Sequence, residues 1–124
     1  MNLSAARIFV RDISVAKQFY AGKLGLAVKA DGSPHGYCVF AGGATDIVVE
    51  VVGDDAPQDE QVLVGRFTGL SFAVTDAAAK FGELSAAGVQ FSGLPEKQVW
   101  GGIVATFSDP SGNEFQIVQH PAVA

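Results

Sequence analysis

The chain has 124 residues, enough for one compact domain that buries roughly two thirds of the surface its unfolded form exposes. Apolar residues make up 48% and charged residues 17%, the formal net charge is -5, and the arginines are scattered at Arg7, Arg11 and Arg66, which excludes a disordered chain and a phosphate-backbone footprint for nucleic acid. Cys38 alone gives neither an internal disulfide nor a thiolate metal cluster, and Met1 to Ala6 carries no basic leader or long apolar run, so a soluble cytoplasmic protein without a membrane partner is expected.

Ala6, Ile8 and Val10 alternate with Ala5, Arg7 and Phe9, a period of two that predicts a strand with one apolar and one mixed face. Asp12 or Ser14 can cap the helix that follows, in which Val15, Ala16, Phe19 and Tyr20 recur at about one turn before Gly22 and Gly25 end it. A strand is expected around Leu26 to Lys29. An antiparallel pair is expected from Tyr37 to Phe40 and Ile47 to Val52, turning at Gly42 and Gly43. Asp54 to Glu60, with Pro57, reads as a polar joint, and Gln61 to Val64 has the option of a short strand. Leu70, Phe72 and Val74 then repeat the first strand. A helix from about Ala77 to Ala87 follows, with strands at Val89 to Phe91, Gly102 to Phe107 and Glu114 to Gln119 and a turn at Pro110, Ser111 and Gly112.

The repetition is the chain's organising feature. Val10-Arg11-Asp12 returns as Val74-Thr75-Asp76, and Leu24-Gly25-Leu26 as Ala87-Gly88-Val89, roughly 63 positions later, which is the length of a structural unit. The expected fold is α+β: one domain over 1–124, with module one at 1–55, module two at 65–120 and a joint at 56–64. Each module is a curved half-sheet with a helix on one face, and the two uncovered faces are expected to share a cleft. A two-fold homodimer is expected, because pairing of open module faces would close clefts that one chain leaves exposed.

The uncovered face of the first strand would carry Ala5, Arg7 and Phe9, and that of its counterpart Gly69, Ser71 and Ala73. The last strands would add Asp46, Val48 and Glu50 and, in the second copy, Glu114, Gln116 and Val118. Glu50 follows Ile47, Val48 and Val49 where a buried strand would continue with an apolar residue, so it must be hydrated, paired, neutralised or used in binding. Arg7 is its nearest partner, either as a structural ion pair or as a contact for an anionic or polar ligand. Gln116 can donate and accept at once, or be satisfied by water. Trp100, before Gly101 and Gly102, either covers a ligand or packs into a core or subunit contact; Phe9, Tyr37 and Phe107 are candidate aromatic walls. Such a cleft suits a partly planar organic ligand with polar or cationic groups. No nucleophile and base are sharply specified. Cys38 reads as a small buried hydrophobe, and His35 and His120 as exposed histidines.

Phe19-Tyr20, Leu24-Gly25-Leu26, Trp100-Gly101, Phe107, Asp109-Pro110 and Gly112-Asn113, in that order, give the chain a resemblance to the vicinal oxygen chelate superfamily of glyoxalase I, bleomycin resistance proteins and extradiol dioxygenases. The resemblance implies paired βαβββ modules, commonly a dimer, and four inward metal-ligating positions. These fall on Ala5 and Gly69, where histidine is usual, on Glu50, and on Gln116 in place of glutamate. A carboxylate and an amide are too few donors for a protein-supplied zinc or iron site, so no metal, cofactor or catalytic residue is expected. The resulting expectation is metal-independent binding of a small organic ligand by a non-catalytic protein of the antibiotic- or toxin-sequestering kind. The alternative is a divergent glyoxalase-like lyase, isomerase or dioxygenase.

Overall fold

The computed structural model describes residues 1–122 and is α+β, with two βαβββ modules that fall into two compact units: 1–66 with 110–113, and 67–109 with the chain from 114 onward. In unit one, β1 (Ala5–Val10) buries Ile8 and Val10 and turns Arg7 outward, as its alternation requires. Asp12 stops the strand and caps α1 (Ile13–Lys17), its Oδ1 accepting from the amides of Ser14 at 2.9 Å and Val15 at 3.1 Å. Instead of continuing as one helix to Leu24, the chain widens into a π turn over Gln18–Lys23, where Leu24 donates to the carbonyl of Phe19. The wider turn brings successive side chains closer in direction, and Phe19 and Tyr20 both reach the core, their rings edge-to-face at 5.1 Å.

Leu26 is still tied to the carbonyl of Tyr20, so β2 begins two residues later than expected and spans Val28–Gly32. β3 (Tyr37–Ala41) and β4 (Asp46–Val51) complete a sheet ordered β1-β4-β3-β2, in which β1 runs parallel to β4 and the other pairs are antiparallel. The joint holds a single helical turn, α2 (Gln58–Gln61), opened by Pro57; of the optional strand there is only a bridge from Val64 to Phe9. Gln61 fixes this segment by donating to the carbonyl of Gly53 at 2.8 Å and accepting from Arg11 at 2.6 Å.

Unit two repeats the plan with β5 (Phe67–Ala73), α3 (Ala77–Ala86), β6 (Gln90–Phe91), β7 (Glu96–Lys97), β8 (Ile103–Ser108) and β9 (Glu114–Gln119). The order is β5-β9-β8-β6, β5 is parallel to β9, and β7 pairs with the same strand, β8, as β6 does. Asp76 caps α3 through the amide of Ala79 at 3.0 Å, the counterpart of Asp12. Phe72, Phe81, Phe91, Phe107 and Phe115 form an aromatic core. Phe107 therefore corrects the expectation of an open-face wall: it is only 1% exposed and stacks on Phe115 at 5.6 Å. The cause is register, since Thr106, not Phe107, stands opposite Gln116. No helix among the described residues is long and apolar enough to cross a membrane.

Candidate functional site

The parallel register of β1 on β4 and the antiparallel register of β3 on β4 set Phe9, Glu50 and Tyr37 side by side on one row of the open face of unit one. Arg7, one step back on β1, reaches along the face to Glu50. Its Nε donates to Oε2 at 2.6 Å and its Nη2 to Oε1 at 3.0 Å, a two-pronged pair that fixes the guanidinium plane. The Arg7 side chain is 62% exposed and that of Glu50 28%. The guanidinium carbon lies 5.3 Å from the centre of the Phe9 ring. The hydrogen bond to Glu50, and then its charge, hold the Arg7 pKa above its ordinary value. Tyr37 lies across β2, and the space its ring occupies is where a Cβ at Gly32 would stand. The result is a flat cation already neutralised by a carboxylate and lying against the Phe9 ring, with the Tyr37 ring beyond Glu50 on the same row and turned over β2. Nη1 remains directed at neither Glu50 oxygen and can donate to a ligand.

On the open face of unit two, Gln116 faces Ser71 on β5 and Thr106 on β8, and its Nε2 donates to the Thr106 hydroxyl at 3.2 Å. Gln116 and Thr106 border a groove of about 290 Å³ whose other wall is the chain from Ser92 to Gln98. Trp100 does not line this groove. It sits 51% exposed on the turn before β8, its ring over Gly102 and 6.1 Å from the ring of His120, at the Ile103–Gln119 end of the ladder.

Of the residues singled out in the sequence, Arg7, Phe9, Tyr37 and Glu50 thus meet in unit one, while Gln116 occupies the matching strand of unit two, Trp100 a turn and Phe107 the core. Ser92, Glu96 and Thr106 were not foreseen. Thr106 was within reach of the sequence, because burying Phe107 forces its neighbour to the open face. Ser92 and Glu96 lie in a stretch of 92–98 with no periodicity to read.

The metal implied by the family resemblance does not fit these donors. Ala5 and Gly69 supply none, and both Glu50 oxygens receive N–H groups from a guanidinium, whose charge would oppose a cation at the same carboxylate. Among the described residues no three His, Cys, Asp or Glu side chains converge to hold a metal ion. His35 and His120 are exposed. Cys38 is fully buried, its Sγ 3.5 Å from both Asp31 and the Ser33 hydroxyl. Asp31 also receives Lys17 Nζ at 2.5 Å, the amide of Ser33 at 3.0 Å and the Ser33 hydroxyl, contacts that keep its carboxyl well below the usual carboxylate range.

Residues 2–117 match the model of the Glyoxalase/Bleomycin resistance protein/Dioxygenase superfamily. Among solved structures, a member of that superfamily from Sphaerobacter thermophilus DSM 20745 is 27% identical, with 97% of this chain and 98% of that one covered at a TM-score of 0.81. TnmS3, an antibiotic binding protein from Streptomyces sp. CB03234, is 28% identical over 98% of this chain and 97% of its own, at a TM-score of 0.76. A glyoxalase/bleomycin resistance protein from the same Streptomyces strain is 30% identical over 94% and 98%, at 0.70. None of the curated proteins matches.

Proposed function

Because this chain belongs to the glyoxalase/bleomycin resistance protein/dioxygenase superfamily, we propose that it binds a small organic molecule without a metal and holds it intact, as a protein that sequesters an antibiotic or another toxic compound would. The observation that carries the proposal is the pairing of Glu50 with Arg7. In the metal-binding branch this position is a ligand, whereas here the carboxylate spends both oxygens on orienting a guanidinium against the Phe9 ring, on a row that Tyr37 continues. A planar conjugated group can stack on such a surface while an acceptor on its rim takes Arg7 Nη1. The similarity to TnmS3, described as antibiotic binding, supports the same reading. Sequestration needs shape and affinity but no acid or base placed against a reacting bond.

The test is a thermal-shift screen of a panel of antibiotics, metal-free bleomycin among them, with EDTA present throughout. Hits are followed by calorimetry and by mass spectrometry of the recovered compound. Stoichiometric binding of unchanged compound, indifferent to EDTA, is expected. Conversion of the compound, or binding only with added metal, would overturn the proposal and favour a divergent lyase, isomerase or dioxygenase. A two-fold dimer belongs to the same proposal, and light scattering that showed only monomer across the micromolar range would remove it.

A further inference from the structure

We infer that the groove of unit two is a subsite for a small protonated amine that also carries hydroxyl groups, a head group of the ligand, and the inference rests on the binding reading above. The groove exists because the strand beside β8 is broken. β6 pairs with Phe107 and Ser108, β7 pairs with Ile103 and Val104, and after Ser92 the chain from Gly93 to Pro95 leaves the ladder between them, opening the edge of β8 beside Ala105 and Thr106. The Thr106 carbonyl accepts from the Ser92 amide at 2.9 Å, so the Thr106 amide, on the same edge of the strand, faces the gap. At about 290 Å³ the space is near the lower end of small-molecule sites and suits a head group, not a whole drug-sized ligand.

The lining sets the chemistry. Among the described residues Glu96 is the one ionisable residue bordering the groove, and alternation along β7 sends neighbouring Lys97 to the other side. Gln98 Nε2 donates to the Glu96 carbonyl at 3.0 Å and Gln116 Nε2 to the Thr106 hydroxyl at 3.2 Å, which leaves the two amide oxygens to accept. A carboxylate and two amide oxygens ask for a donor-rich cation. The Ser92 hydroxyl and the Thr106 amide can meet ligand hydroxyls, and Leu94 offers an apolar edge for the carbon skeleton.

The experiment is an amide-resolved NMR titration of the full ¹⁵N-labelled chain with D-glucosamine, with D-glucose and N-acetylglucosamine as probes of similar shape without the charge. Saturable shifts confined to 92–98, 104–106 and 116 are expected in the millimolar range, with both neutral sugars binding roughly fivefold or more weakly. Glu96→Gln should bring glucosamine down to the level of glucose. Glu83→Gln removes the same charge from the exposed face of α3, where Glu83 pairs with Lys80, and should change glucosamine binding less than about twofold. Equal affinity for the three sugars, shifts located elsewhere, no saturable shift at all, or an equal effect of Glu83→Gln would each overturn the subsite. If glucosamine fails while an antibiotic from the panel binds intact, only the subsite falls; if the whole panel fails, the broader reading falls with it.

Discussion

Asn113 and Phe9 stand 104 positions apart, yet the Asn113 side-chain amide donates to the Phe9 carbonyl at 2.8 Å. The Asn113 Oδ1 accepts from the Gly65 amide at 2.9 Å, so one buried side chain ties the end of β1 to the residue that follows the joint, within unit one. Removing it strands a carbonyl and an amide at once. Asn113→Ala should cost about 2–4 kcal/mol of stability, read as a lower urea midpoint. Asn113→Leu, close in size, should not recover it; recovery would show that volume alone matters.

Phe107 and Trp100 separate packing from surface. Phe107→Ala opens a cavity among Phe72, Phe91 and Phe115 and should destabilise by about 3–5 kcal/mol. Trp100→Ala, at a half-exposed turn, should cost less than about 1.5 kcal/mol. Paired urea melts decide the matter, and equal losses would contradict the burial described for Phe107.

The Arg7–Glu50 pair makes a prediction about metal and ligand together. Zinc added to the purified protein should bind no more tightly than about 10 µM in a competition assay with a fluorescent chelator. Arg7→Ala should weaken binding of any panel compound that engages this face by roughly tenfold, because the stacking plane and the Nη1 donor are both lost. One tightly held zinc per chain, or unchanged affinity for every hit, would contradict the assignment.

Asp31 sets an acid limit. Lys17 first, then the Ser33 hydroxyl and amide, hold its folded pKa below the unfolded value, so its contribution to stability is complete above about pH 4 and is lost as pH falls through the depressed folded value. Asp31→Asn should therefore lower Tm at pH 7, and the gap to the parent protein should narrow towards pH 2. At the alkaline end the sign reverses. The Lys17 pKa is raised, chiefly by the hydrogen bond to Asp31, so its contribution is full below about pH 10 and fades as pH rises past the raised value. Differential scanning fluorimetry across pH reads both limbs; a gap between Asp31→Asn and parent that stays constant down to pH 2 would contradict the assignment.

The sequence carried the plan of the fold because the signals were local and doubled: alternation in Ile8 and Val10, and the step Val10-Arg11-Asp12 returning as Val74-Thr75-Asp76 ahead of the second helix. Arg7 and Glu50 were also legible, since a charge in an apolar strand demands a partner and strand parity put both on one face. Phe107 was misplaced because its direction depends on the register of β8 against β9, and one step reverses every side chain. The π turn at Phe19 and Tyr20 and the two-residue strand at Glu96 and Lys97 leave no period to detect. The groove that depends on that short strand was accordingly invisible.

In both units the first strand lies parallel to the last, and this governs when the Arg7–Glu50 face of unit one can form during folding. Arg7 cannot meet Glu50, 43 positions away, until the helix and two further strands have been traversed and β4 is in place. Closing so long a loop before any reward is slow compared with forming the β3–β4 hairpin, so β1 should be the late arrival in unit one. A nascent chain that has emerged only through β3 would have its helix and its aromatic residues but no oriented guanidinium, and the ligand affinity proposed for this face should switch on with the last strand.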